Sequence, residues 1–248
     1  MSVVKHIPNT ITSLNLLCGV LGVIVSLGGR LECGFILMIC AAVFDFCDGL
    51  AARLLKAYSE IGKELDSLAD DVSFGVLPAV MLYQVCGTDI LVLKCLPLLL
   101  AAFSALRLAK FNLDERQHDS FIGLPTPASA MVCGSLATLV TVRPDCFLAR
   151  WCDGPVFVPV LALALCVLLV SEIPMFSMKF GGGKKASGVE IAQRAAFLAI
   201  AVLSAVIALV GRSHWSFVFL AAFLGYILVN LATSGLMAGK EPRYAHKK

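Results

Sequence analysis

Seven of the chain's 17 acidic residues lie in the stretch DFCDGLAARLLKAYSEIGKELDSLADD, Asp45 to Asp71. On a helix turning 100° per residue, Asp45 and Asp48 stand about 60° apart, and Gly49, Ala52 and Arg53 continue near the same face. Gly62, Asp66 and Asp70 follow one another at i, i+4 and i+8, a stripe that drifts about 40° per step. The link around Ala57–Ile61 is short, which predicts antiparallel neighbouring helices whose acidic stripes face each other. Four carboxylates so gathered repel one another unless something cancels their charge. Every ligand offered is a hard oxygen, so the countercharge expected is Mg²⁺ or Mn²⁺ rather than zinc. Gly49, Ala52 and Gly62 leave space beside such a cluster, and the Arg53 guanidinium is suited to a phosphate. The chemistry implied is metal-assisted phosphoryl transfer.

The bland interpretation of each residue is different. A Gly or Ala stripe in an apolar helix usually marks close helix packing, and an isolated Asp near a helix end is a solvated boundary residue. Four acids, an Arg and the small residues on facing stripes together outweigh it. Glu60 and Glu64, beside Lys56 and Lys63, fit the bland interpretation as solvated surface. Asp71, turned 100° from Asp70, is not expected to be a ligand.

The elements that must carry these residues are membrane helices. The chain is 59% hydrophobic and 15% charged over 248 residues, with a mean hydropathy of +0.89, far more apolar than a soluble domain. Runs long enough to span a bilayer fall at roughly 11–29, 33–55, 65–86, 90–109, 124–142, 156–176, 195–211 and 215–237. Their continuity argues for helices over a barrel, so the expected fold is an all-α integral membrane protein of about eight transmembrane helices in a single domain. The N-terminal MSVVKHIPNT has no small-residue cleavage site after the first apolar run and reads as retained.

With eight spans both termini share a side. Fifteen Lys and Arg residues fall there (Lys5, Arg53, Lys56, Lys63, Arg107, Lys110, Arg116, Lys179, Lys184, Lys185, Arg194, Lys240, Arg243, Lys247, Lys248), against five opposite (Arg30, Lys94, Arg143, Arg150, Arg212). The positive-inside rule places termini and acidic cluster in the cytoplasm of a cell-membrane protein. Trp151 and Trp215 fall at the outer boundary, as belt residues would. A basic cytoplasmic face suits anionic lipid or an anionic substrate; nucleic acid is not an expected partner, since no basic, aromatic-interleaved module is present. Among the ten cysteines there is no C-x-x-C pair, and Cys33, Cys40 and Cys47 share one helical stripe as small hydrophobes. Cys146 and Cys152 share an outer loop where an oxidising compartment would permit a disulfide. A cation transporter is the rival reading of intramembrane acids, but neither an internal repeat nor interrupted helices are evident.

The gapped pattern Asp45-x2-Asp48-Gly49-x2-Ala52-Arg53-x8-Gly62-x3-Asp66-x3-Asp70 resembles the complete signature of the CDP-alcohol phosphotransferase family. Within it, IPNTITSLNLLCG (Ile7–Gly19), DSLADDVSFGVLPA (Asp66–Ala79), ALRLAKFN (Ala105–Asn112), FIGLPTPASA (Phe121–Ala130) and SEIPMFSMKF (Ser171–Phe180) are similar to the type II phosphatidylserine synthases of bacteria and archaea. Asp71 departs from that subgroup, whose members tend to be apolar there. The resemblance implies a six-helix catalytic core over about 1–176, here with two added C-terminal helices over about 195–237, in a homodimer. It implies transfer of the phosphatidyl group from CDP-diacylglycerol to L-serine with release of CMP. By the same resemblance Asp45, Asp48, Asp66 and Asp70 hold two divalent cations and Asp70 is also the catalytic base. Gly49, Ala52, Arg53 and Gly62 line the CDP site, joined by Pro8, Asn9 and Thr12. Sister enzymes use the same donor with glycerol 3-phosphate or inositol 1-phosphate. For a serine acceptor, whose carboxylate needs a fixed cation, the sequence offers Arg107 and Lys110 at i, i+3, with the Arg better suited to bidentate binding.

Overall fold

The computed structural model describes residues 6–113, 121–176 and 188–238. Helix α1 (Ile7–Leu27) starts with a proline in its first turn, where the missing N–H costs nothing. It reverses through Gly28 and Gly29, the latter at φ +77°, into α2 (Leu31–Leu54). Lys56, at φ 48°, turns the chain again, and Ser59 caps α3 (Glu60–Asp71) by accepting from Gly62 N at 3.0 Å. A π-helical turn, Val72–Val76, runs from α3 straight into α4 (Leu77–Val85). Then follow α5 (Leu91–Cys95), a 3₁₀ turn (Leu96–Leu98) and α6 (Leu99–Leu113) as one rod. After α7 (Thr126–Val142) come a short α8 (Phe147–Cys152), α9 (Phe157–Val170), α10 (Gly188–Val210) and α11 (Ser216–Ala238).

The chain is an all-α integral membrane protein. Among the described residues, five helices are long and apolar enough to cross a bilayer: Ile7–Leu27, Leu31–Leu54, Leu91–Leu113, Ile191–Val210 and Ser216–Thr233. The other three expected crossings have helices too, with differences. Thr126–Val142 and Phe157–Val170 are shorter, and the third begins at Glu60 rather than 65, its first half polar. The run expected at 156–176 ends at Val170, because the polar and proline-containing stretch Ser171–Pro174 breaks it. Beyond it, β2 (Pro174–Met175) pairs antiparallel with β1 (Phe121–Ile122), in the register Phe121↔Met175 and Ile122↔Pro174. That small ladder and α8 are additions to the expected architecture.

Helix α7 is the hub, with Ala128–Val140 buried on every face; α2, α4 and α11 pack on it. One apolar cluster joins Phe35, Met38, Phe74, Leu77 and Met81 to α7, and another joins Leu82, Val132, Leu136, Leu165 and Leu169 to Tyr226 of α11. Helices α2 and α3 face each other through their acidic stripes, as expected, with carboxylate oxygens within 4.8 Å. Helix α1 lies along α2 and also packs against α3 and the π-helical turn, so a short link set the direction of α3 but α1 supplies its packing surface.

At the end away from the acidic cluster, Arg143 Nη1 donates to Arg212 O at 3.2 Å. There Trp215 stacks on Phe35 with centroids 5.3 Å apart and donates from Nε1 to Glu32 Oε1 at 3.1 Å. It is thus an internal joint as well as a boundary residue, whereas Trp151 is half exposed. All ten cysteines, Cys146 and Cys152 included, are free thiols, and burial pushes the Cys152 thiol up to about 12. Nine of the basic residues counted for orientation, Lys5, Arg116, Lys179, Lys184, Lys185, Lys240, Arg243, Lys247 and Lys248, lie outside the described residues.

Candidate active site

Asp45 and Asp48, one turn apart near the end of α2, and Asp66 on α3 bring carboxylate oxygens within 4.8 Å of one another. Asp48 is buried, and its Oδ2 has no hydrogen-bond partner among the described residues. A buried acceptor left without a donor is costly, and three hard oxygens at this spacing suit a hard divalent cation. The residues present therefore fit such an ion. Asp70, one turn beyond Asp66, stands beside this group, within electrostatic reach of all three carboxylates. It is tied separately: Asn15 of α1 donates from Nδ2 to Asp70 Oδ1 at 3.0 Å. The four acids are thus three gathered and one held apart.

A cleft of about 520 Å³ opens beside them. Its lining takes Pro8, Asn9 and Thr12 from α1, Asp48, Gly49 and Ala52 from α2, and Gly62 and Asp66 from α3. Thr12 is buried, its hydroxyl donated to Pro8 O at 3.0 Å. A Cβ on Gly49 would meet nothing within 4 Å, so that residue borders open space; one on Gly62 would lie 2.9 Å from both Asn9 Oδ1 and Ser59 Oγ. A side chain at Gly62 would therefore displace the tips of Asn9 and Ser59, and with them the cap of α3. Arg53 is not in the lining. It is exposed, and its Nε donates to Gly49 O at 2.9 Å, one turn back on its own helix.

Several lining residues escaped the sequence reading. Tyr58, Ser59, Glu60 and Lys63 border the cleft, although Glu60 and Lys63 had read as plain surface. Lys63 Nζ donates to Asn112 O at 3.1 Å, and Asn112 Nδ2 donates to Ser67 Oγ at 2.9 Å, so the end of α6 is pinned to α3. Asn15 was legible in principle, since it follows Thr12 at i+3 on the face of α1 that the cleft uses.

Arg107 and Lys110 differ in burial. Lys110 is exposed. Arg107 is buried, 5.6 Å from the centre of the Phe111 ring, and within electrostatic reach of Asp70 and of Tyr226 on α11. Asp71 faces away from the cleft: its Oδ1 is buried next to Gly75 and Ser104 of α6.

With this geometry in view, the comparisons with known proteins are specific. A family model described as CDP-alcohol phosphatidyltransferase matches residues 5–170, which include every acidic cluster and cleft residue named above. A CDP-diacylglycerol–serine O-phosphatidyltransferase of Mycobacterium leprae is 36% identical over 180 residues, covering 69% of this chain and 58% of that protein. One of Bacillus subtilis is 37% identical over 128 residues, covering 51% of this chain and 72% of that protein. An archaetidylserine synthase of Methanothermobacter thermautotrophicus is 35% identical over 133 residues, 52% of this chain and 56% of that protein. The chain thus spans under two thirds of the length of the mycobacterial and methanogen relatives. Since the match takes in helices α1 to α9, the gathered carboxylates and the cleft beside them, the chain belongs to the CDP-alcohol phosphatidyltransferase family.

Proposed function

We propose that this protein transfers the phosphatidyl group of CDP-diacylglycerol to the hydroxyl of L-serine and releases CMP. The observation that carries the proposal is the set of three carboxylates within 4.8 Å at the wall of a cleft lined by small residues. The names of the relatives support the choice of donor and acceptor.

In this reading Asp45, Asp48, Asp66 and Asp70 hold two divalent cations, Mg²⁺ or Mn²⁺. When bound, such ions would neutralise the pyrophosphate and the charge that builds on the leaving phosphate. The chain's own residues supply position. Pro8, Asn9, Thr12, Gly49, Ala52 and Gly62 shape the cleft that receives the nucleotide, and Gly49 leaves open the volume a side chain would take. Arg53 reaches the cleft mouth by leaving its bond to Gly49 O. Asp70 accepts the proton of the serine hydroxyl; Asn15, donating to one of its oxygens, holds the carboxylate so that the other oxygen faces the acceptor. Arg107, buried beside Asp70, takes the serine carboxylate, and Lys110 contributes only surface charge. The cleft faces the cytoplasm and opens sideways, since the donor's acyl chains stay in the bilayer. The six membrane crossings within about residues 1–176 form the catalytic core, with the two C-terminal helices added to it, and two such chains assemble as a homodimer.

Purified protein given CDP-diacylglycerol and a panel of radiolabelled acceptors tests this. Serine alone is expected to be converted, with CMP released. Conversion of glycerol 3-phosphate or inositol 1-phosphate instead would keep the donor chemistry and refute the acceptor, and no conversion of any acceptor would refute both.

A further inference from the structure

A cleft that receives a nucleotide needs positive charge near the phosphates, and among the described residues its lining contains a single cationic side chain, Lys63. Arg53, the guanidinium expected there, is exposed and donates along its own helix to Gly49 O at 2.9 Å. Lys63 stands at the start of α3, three residues before Asp66, and residues at that spacing are neighbours on a helix surface. Its place in the cleft is therefore between the carboxylate of the acidic cluster and the end where Tyr58 and Glu60 line the wall. A basic side chain near a helix N-terminus works against the helix dipole, so the stability of α3 does not account for it.

The ammonium is tethered without being used up. Lys63 Nζ donates to Asn112 O, at the end of α6, at 3.1 Å, and Asn112 Nδ2 donates in turn to Ser67 Oγ, one turn along α3, at 2.9 Å. An ammonium carries three donors, so a single bond to a neutral carbonyl leaves two for an anion. The tether fixes where the charge stands, which reduces the ordering cost of binding.

We propose that Lys63 is the fixed cation of the donor cleft and holds the phosphate of the cytidine nucleotide, the group that stays with CMP when it leaves. This rests on the donor reading given above and adds to it a residue outside the acidic signature. In the transfer, the bond from the phosphatidyl phosphorus to the bridging oxygen breaks, its electron pair stays on the CMP phosphate, and the serine proton passes to Asp70. Lys63 stabilises the charge so formed. Because it touches the phosphate and neither base nor ribose, it separates CMP from cytidine.

The test is titration of the purified protein in detergent–lipid micelles, with Mg²⁺ present, by CMP and by cytidine. Lys63→Met is expected to weaken CMP binding about tenfold, the worth of a hydrogen bond to a charged group, and to leave cytidine binding unchanged, while Lys63→Arg keeps most of the CMP affinity. Ser67→Ala loosens the same junction with α6 but spares the cation, and should keep the preference for CMP over cytidine. A Lys63 that served only to pin α6 would move both ligands together, or would give Ser67→Ala the same loss. Should Lys63→Met not yield folded protein, wild type supplies a second measurement: saturating CMP should shield Lys63 from an amine-acylating reagent, read by peptide mass spectrometry, while the exposed Lys110 stays labelled. Unchanged CMP affinity in Lys63→Met, equal losses for CMP and cytidine, or labelling of Lys63 that ignores CMP overturns the role of Lys63 alone. A wild type that binds no CMP refutes the donor reading and the role of Lys63 with it.

Discussion

At the scale of single residues, the carboxylates divide into two kinds, and the division can be measured. Asp48 is buried with an oxygen that has no hydrogen-bond partner among the described residues, which suits it to a cation; Asp70 is held by Asn15 and stands to one side. Asp70→Asn should lower kcat by about 10²–10⁴-fold, the usual worth of a general base, while CDP-diacylglycerol still binds. Asp48→Ala should weaken donor binding itself. Equal loss of binding in both variants, by titration with a non-reacting donor analogue, would remove the special role of Asp70. A second residue-scale expectation concerns Arg107→Lys. A lysine cannot give the two parallel hydrogen bonds of a guanidinium, so the serine KM should rise several-fold and the donor KM stay put. A shift in the donor KM alone would assign Arg107 to the nucleotide. The types and spacing of the four acids and the glycines were legible in sequence because helical periodicity is local. What was not legible is the pairing itself: Asn15 could be placed on the cleft face of α1, but nothing within ten residues of Asp70 joins the two. Arg53 and Lys63 exchanged places for a related reason, since a long flexible side chain can leave the face its Cα predicts.

At the scale of elements, the acidic stripes of α2 and α3 do converge, but α1 and not α3 is the long neighbour of α2. A short link fixes two helices as antiparallel; it does not say which other helix packs along them. The π-helical turn was also hidden, because Gly75 in VSFGV reads equally well as a small residue packed within a continuous α-helix, and such turns are frequent next to functional sites. Its role is visible in contacts. Ser73 Oγ donates to Asn15 O at 3.1 Å, and a Cβ on Gly19 would overlap Ser73 Oγ and stand 3.0 Å from Ser73 Cα. Backbone cannot yield as a side-chain tip can. Gly19→Ala should therefore push α1 off the turn that follows Asp70, costing about 1–3 kcal/mol as overpacking does, and should disturb the Asn15–Asp70 bond with it. Detergent-solubilised protein should lose both thermal stability and kcat. A variant as stable and active as wild type would mean that the close approach of α1 to the π-helical turn has no function. The ladder between β1 and β2 belongs here too, since two residues per strand give no alternation to read, and the polar Ser171–Pro174 is the only hint that the last run of the core stops early.

At the scale of the whole molecule, the acidic cluster links metal binding to the stability of the helix bundle. Asp45 and Asp48 belong to α2, Asp66 and Asp70 to α3, and α1 packs against both helices. Without a cation, the repulsion of carboxylates within 4.8 Å acts to separate α2 from α3 across the cleft. A ligand that binds only the folded arrangement stabilises it by mass action, about 2.7 kcal/mol at a hundred times its Kd. Mg²⁺ or Mn²⁺ should therefore raise the Tm of detergent-solubilised protein, and excess EDTA should lower it and abolish activity, reversibly. The Asp48→Ala variant supplies the control that activity cannot. It loses a ligand and also a source of repulsion, so its metal-free form should be at least as stable as metal-free wild type, while its Tm should respond weakly to added metal. Arg150→Gln, a change at the opposite end of the molecule, should leave the full metal response intact. Were the Tm of wild type to ignore both metals, or Asp48→Ala to keep the whole shift, the cluster would not be the place where cations bind, and the charge of its carboxylates would have to be met from within the protein.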